Sequence, residues 1–208
     1  MTSRSRWQRS VMSFAALVVG SGVLAVPGPW SPAVSAALPA AGACVTGDVP
    51  GKVLASGTTV TGQRCESNRY LSLRRVLANG SIDTTYASSG RALLDLGAAQ
   101  TFAPLWVVQA DGRVVVLSRN GSNYQLRRFN AAGQIETGFG SSGVASFPQA
   151  LAATQVETDD AGRIVVTLPY LDSTGIIYVR FTAAGVLDTS FDGDGTSFRD
   201  GWRPVASR

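Results

Sequence analysis

Two strand patterns alternate along this chain. The first is a β-branched run, apolar on both faces, entered from a tight glycine turn. It occurs as Lys52-Val53-Leu54-Ala55-Ser56 after Pro50-Gly51, as Arg113-Val114-Val115-Val116-Leu117-Ser118 after Asp111-Gly112, and as Arg163-Ile164-Val165-Val166-Thr167-Leu168 after Ala161-Gly162. A short run without polar alternation predicts a central strand covered from both sides. Pro104 to Gln109 and Thr154 to Glu157 lie just upstream and predict strands joined to it across Asp-Gly or Ala-Gly hairpins. In the first unit this opening strand falls at about Ala43 to Asp48, and Cys65 lies in the middle loop.

The second pattern alternates strictly. Leu71, Leu73 and Arg75 share one face, as do Tyr124, Leu126 and Arg128, and then Ile176, Tyr178 and Arg180. Period-two alternation predicts strands with one face buried. A last, shorter strand is expected at Gly90 to Leu96, Gly143 to Phe147 and Gly195 to Phe198. Helix periodicity is almost absent, so the chain reads as all-β.

Between the last two strands of each unit one turn sequence recurs. It runs Asn79-Gly80-Ser81-Ile82-Asp83-Thr84-Thr85-Tyr86, then Ala132-Gly133-Gln134-Ile135-Glu136-Thr137-Gly138-Phe139, then Ala184-Gly185-Val186-Leu187-Asp188-Thr189-Ser190-Phe191. The turn glycines lie 53 and 52 residues apart. Such a period marks stacked structural units, and four strands in that length is the anatomy of one propeller blade. The predicted architecture is three four-stranded antiparallel blades, an incomplete or partial β-propeller, at about 48–97, 104–148 and 154–200.

Arg128-Phe129-Asn130 leading into Gly133-Gln134-Ile135-Glu136-Thr137-Gly138-Phe139, and Arg180-Phe181-Thr182 leading into Gly185-Val186-Leu187-Asp188-Thr189-Ser190-Phe191, carry a further signal. Each is preceded by a Gly-Arg-aliphatic strand, and together they resemble the delta-60 repeat, a bacterial exported β-propeller-like repeat. The third unit fits best, the second well and the first loosely, with Tyr86 in place of Phe. The resemblance implies a propeller-like architecture and export, and leaves the biochemical role undefined. Three blades are fewer than the four to eight of an ordinary ring.

The first 36 residues look like an export signal. Arg4, Arg6 and Arg9 form a basic start, Val11 to Val26 an apolar run ended by Pro27, and Val34-Ser35-Ala36 a small-residue cleavage site. The run is shorter than the roughly 20 residues of a membrane span. Residues 37–47 then read as a linker and the start of the first strand, and 201–208 as a C-terminal tail. Three of the 18 basic residues lie in the signal, which leaves 15 against 14 acids. A nearly neutral remainder removes the basic-patch case for nucleic acid. No membrane span is expected after cleavage, and the expected location is secreted or cell-surface.

Cys44 and Cys65 are the two cysteines. In an exported protein an even pair points to a disulfide. The rival reading makes Cys44 a lipid attachment point after Ala41-Gly42-Ala43, which would leave Cys65 alone.

The most regular polar pattern is an arginine eight residues before an acid: Arg75 with Asp83, Arg128 with Glu136, Arg180 with Asp188. A pair that flanks one turn and recurs in every unit points to a clamp on that turn rather than catalysis. Tyr86, Phe139 and Phe191 follow the acid, and an aromatic at a fixed place in each unit is expected to fill the gap between units. Asp192 and Asp194 are weak candidates for calcium, with too few oxygen ligands for a full loop.

Histidine is absent, which removes the usual general base and the commonest zinc ligand. No nucleophile elbow and no phosphate-cradling loop occurs. No cofactor is implied. The leading expectation is a non-enzymatic binding or scaffold module with an extracellular protein or glycan as partner. A second is self-association, two chains pairing to complete a ring. A third is a carboxylate-based glycan hydrolase or lyase using Asp111, Asp159 or Asp160, with Trp106 and Trp202 as stacking surfaces; Trp106 itself reads as core.

Overall fold

The computed structural model describes residues 44–49, 53–97, 100–149, 151–170 and 175–200. The segment expected to be an export signal, the residues from there to 43, Pro50-Gly51-Lys52 and the expected C-terminal tail with Trp202 lie outside the described residues. Among the described residues there are strands and no helix, so none is long and apolar enough to cross a membrane.

The strands are β1 Cys44–Val49, β2 Thr59–Cys65, β3 Tyr70–Val76, β4 Arg91–Asp95, β5 Leu105–Val108, β6 Val114–Asn120, β7 Asn123–Phe129, β8 Ala145–Pro148, β9 Gln155–Thr158, β10 Ile164–Pro169, β11 Gly175–Phe181 and β12 Thr196–Asp200. They form three four-stranded antiparallel sheets, each pairing only sequence neighbours, and no strand joins one sheet to another. Every sheet is therefore a meander built from local turns, the arrangement with the smallest loop-closure cost.

One turn geometry opens the second strand of each sheet. The Gln109 N–H donates to the Arg113 carbonyl and the Gly112 N–H to the Gln109 carbonyl, with Gly112 at φ +85°. Asp159, Gly162 and Arg163 repeat this pattern, as do Leu54, Gly57 and Thr58. The equivalent turn of the first unit is thus Ser56-Gly57-Thr58, not Pro50-Gly51-Lys52. The predicted strand at Val53 to Ser56 is corrected accordingly: only Val53 makes an isolated bridge, to Thr59, and the strand proper starts at Thr59. Leu54 instead turns its side chain onto the core shared by the first two sheets. Cys65 consequently ends β2 rather than lying in a loop. The opening strand β1 starts at Cys44, within the stretch expected for it.

The Cys44–Cys65 disulfide joins directly paired residues of β1 and β2 across a sequence separation of 21. Closing a loop of that size contributes about 3 kcal/mol in the chain-entropy account. The Cys44 sulfur that a lipid anchor would need is bonded within the sheet.

Two apolar clusters hold the sheets face to face. Val60, Leu71, Leu73 and Leu94 of the first sheet meet Val108, Val114, Val116 and Phe129 of the second. Val115, Leu117, Leu126 and Phe147 of the second meet Val156, Ile164, Val166, Leu168 and Phe181 of the third. The middle strand β6 is buried on both faces from Val114 through Leu117. Strands β2 and β10, which hold the same place in the other two sheets, are covered on one face only. An end sheet has a neighbour on one side alone, and its outer face carries Thr59, Thr61 and Gln63 in the first sheet and Gln155, Glu157 and Thr167 in the third.

Candidate functional site

The eight-residue spacing of arginine and acid follows from the turn that ends β3, β7 and β11. The chain passes through a glycine at positive φ (Gly80, Gly133 or Gly185) and returns, so the Asp83 N–H donates to the Arg75 carbonyl at 2.9 Å. Glu136 and Arg128, then Asp188 and Arg180, repeat that bond. It sets each acid beside its arginine. Arg75 Nε donates to Asp83 Oδ2 at 2.8 Å, Arg128 Nε to Glu136 Oε2 at 2.7 Å, and Arg180 Nε to Asp188 Oδ2 at 2.7 Å.

The second carboxylate oxygen is occupied as well. Asp83 Oδ1 accepts from the N–H and hydroxyl of Thr85, and Asp188 Oδ1 from those of Ser190. Hydrogen bonds from the Thr85 and Ser190 hydroxyls first, and then from the arginines, hold both carboxyls below the usual aspartate range. Glu136 uses its other oxygen on Arg113, 3.2 Å away. The guanidinium carbons lie over aromatic rings: Arg75 over Tyr86 at 5.0 Å, Arg128 over Phe139 at 4.7 Å and Arg180 over Phe191 at 4.2 Å.

The remaining arm of the arginine leaves its own sheet. Arg75 Nη1 donates to the Ala131 carbonyl at 2.6 Å, and Arg128 Nη1 to the Ala183 carbonyl at 2.5 Å. Beside them the Ala87 N–H donates to the Ala132 carbonyl and the Gly140 N–H to the Ala184 carbonyl, each at 2.8 Å. Tyr86 and Phe139, both fully buried, lie flat against Gly133 and Gly185 of the next unit. Sequence reasoning confined the clamp to one turn and missed this staple between units. The signal present in the chain was the run of small residues, Ala131-Ala132-Gly133 and Ala183-Ala184-Gly185, which lets a neighbour approach the backbone closely.

Arg180 has no such continuation among the described residues. Its Nη2 donates to Ser190 Oγ at 3.4 Å, and Phe191 is half-buried. Asp192, at φ +54°, takes the left-handed position held by Ala87 and Gly140 in the earlier units. Asp194 Oδ1 accepts the Thr196 N–H. Both calcium candidates are exposed turn residues, and no cluster of three metal-ligating side chains occurs among the described residues. Asp111 and Asp159 each accept the backbone N–H of the arginine of their own hairpin, Arg113 and Arg163, and Asp160 is exposed. The structure brings none of the three into a shared pocket.

A different group of residues does converge. A cleft of about 580 Å³ opens where the end of β4 meets the β6–β7 hairpin, lined by Asp95, Gln100, Phe102, Arg119, Asn120 and Arg127. Arg127 Nη1 donates to the Asp95 backbone carbonyl at 3.3 Å, and burial lowers its affinity for the proton. Asp95 pairs with Arg69 and accepts the Gly97 N–H; burial pushes its carboxyl up, and these partners more than offset that, leaving it low. Gln100 Oε1 accepts the Arg119 N–H, and the Arg119 guanidinium lies 5.8 Å from the half-exposed Phe102 ring. Two arginines and one carboxylate already paired with Arg69 line the cleft, which gives it a positive bias. Arg119 Nη2 also donates to the Gln149 carbonyl at 3.3 Å and Arg127 Nη2 to Gln125 Oε1 at 3.2 Å. The sequence carries only a partial signal for it: Arg119 and Arg127 align with Arg64 and Arg74 of the first unit, and with Pro169 and Val179 of the third.

No protein-family model matches the chain, and no curated protein matches it.

Proposed function

We propose that this chain is an exported, non-enzymatic binding module made of propeller-type blades of the delta-60 kind, whose cleft between the first two sheets takes a carboxylate-bearing glycan. The single observation that carries the reading is the cleft itself. Arg119 and Arg127 supply planar forks suited to carboxylate, and the Phe102 ring supplies a stacking surface beside them.

Three further observations support it. The recurring acids Asp83, Glu136 and Asp188 are occupied by arginines and by neighbouring turn groups or Arg113, which leaves them no catalytic work. Each four-stranded meander packs its face on the next, and β5 approaches β9, as first strands of adjacent blades do near a propeller axis. The disulfide fits an oxidising compartment outside the cytosol.

The test is binding to a panel of acidic and neutral glycans, followed by product analysis. Acidic glycans are expected to bind, Arg119→Ala and Phe102→Ala to lose binding, and the glycan to be recovered intact. Shortened glycan, or undiminished binding by both variants, would overturn the reading.

A further inference from the structure

The contact that joins consecutive sheets has two halves. The preceding unit contributes an arginine, an aromatic ring and the N–H of the left-handed residue after that ring. The following unit contributes two carbonyls and the glycine that comes next. Arg75, Tyr86 and Ala87 engage Ala131, Ala132 and Gly133; Arg128, Phe139 and Gly140 engage Ala183, Ala184 and Gly185. Gly133 and Gly185 are buried by that contact.

Among the described residues, each end of the array displays one half alone. The first turn, Ala78-Asn79-Gly80, has the same internal hydrogen bonds and the same positive φ at its glycine as the other two. Yet all three residues are exposed, and a side-chain carbon placed on Gly80 would meet nothing within 4 Å. At the other end Arg180 stacks on Phe191 and is held by Asp188 in the orientation that Arg75 and Arg128 adopt. Asp192 holds the left-handed backbone that aims Ala87 and Gly140 at their acceptors.

We propose that a second copy of this chain supplies both missing halves: Arg180, Phe191 and Asp192 of one copy dock on Ala78, Asn79 and Gly80 of the other, and the same contact recurs in reverse. The occupant follows from continuity with the two internal junctions, because the only partner chemistry these groups are built for is the Gly turn the chain itself exposes. Two copies place six sheets in sequence, within the four to eight that close a ring, and two head-to-tail contacts satisfy a twofold assembly. The outer faces are more polar than the internal ones, with Thr, Gln and charged residues set among Val165, Ile176 and Tyr178 where the internal faces carry mostly Val and Leu. The association is consequently weaker than the internal junctions and depends on concentration. It is independent of the cleft and of any ligand there.

Sedimentation velocity of the purified protein over a wide concentration range tests the proposal. The expected result is a monomer at high dilution passing to twice that mass. Gly80→Asn adds a side chain at an open position with a residue that tolerates left-handed backbone, so the monomer keeps its fold and the dimer weakens about tenfold or more. Oxidised Asn79→Cys/Asp192→Cys protein is expected to give a covalent dimer that neither single variant gives. A monomer at every concentration, a dimer indifferent to Gly80→Asn, or an open ladder of higher oligomers would each overturn it.

Discussion

Arg128 donates to the carbonyl oxygen of Ala183, 55 residues further along the chain and in the next sheet, at 2.5 Å. The same guanidinium holds Glu136 of its own turn and caps the Phe139 ring. One side chain thus couples formation of a turn to docking of the following unit.

Removing it is expected to damage both. Arg128 is buried, and deleting it strips Glu136 Oε2 of its partner, leaving that carboxylate only Arg113 on its other oxygen, and removes the donor to the Ala183 carbonyl. Arg128→Ala should lower stability by about 3 kcal/mol in chemical denaturation. Arg180→Ala, which removes a pair but no contact to a following unit, should cost clearly less. Equal losses would mean that the staple between units contributes nothing.

Tyr86 offers a gain. It fills the place Phe139 fills one unit later, but its hydroxyl is buried with no hydrogen-bond partner among the described residues, and burial pushes its pKa up to about 12. Tyr86→Phe should therefore stabilise the protein by about 1 kcal/mol, because an unsatisfied buried hydroxyl is removed without loss of packing. A lower melting temperature for this variant would show that the hydroxyl is satisfied in solution.

The turn glycines should rank by what faces them. An alanine Cβ at Gly185 would lie 2.7 Å from the Phe139 ring and 2.9 Å from the Gly140 nitrogen, at φ +80°. Gly185→Ala combines left-handed strain with overpacking and should cost about 2–4 kcal/mol. Gly80→Ala meets open space and should cost only the backbone strain, about 1 kcal/mol. Melting curves of the two variants decide the order.

Acid should unfold the protein through its clamps. Asp83 and Asp188 have folded pKa values below their unfolded ones, so their contribution is fully present above the unfolded value of about 4 and is lost as pH falls through the lower folded values. With no histidine in the chain, stability should stay flat between about pH 5.5 and 8. Denaturation midpoints across that range would expose any loss near neutrality, which this account does not permit.

The repeat period, the all-β class and most strand positions were legible because turn chemistry and side-chain alternation are local. The first unit was misregistered by six residues. Gly51-Lys52-Val53 imitates the Gly-Arg-aliphatic entry of the other units, whereas the operative turn is Gly57-Thr58, whose composition resembles neither. The run in β10 was expected to be covered on both faces, and is not, because coverage depends on how many sheets flank it. The reach of Arg75 and Arg128 to the next unit was hidden since its acceptors are backbone carbonyls, which leave no mark on side-chain identity. The cleft was invisible for a different reason: Arg119 and Arg127 share one hairpin, but the opposite wall at Asp95 comes from the end of β4 in the preceding sheet and faces them only after the sheets stack.

Amide hydrogen exchange read residue by residue in dilute, monomeric protein tests the stacking of units most directly. The N–H groups of Ala87, Gly140 and Asp192 occupy the same place in successive units, and only the first two have an acceptor in a following sheet among the described residues. The account predicts slow exchange at Ala87 and Gly140 and fast exchange at Asp192. Comparable fast exchange at all three would contradict it.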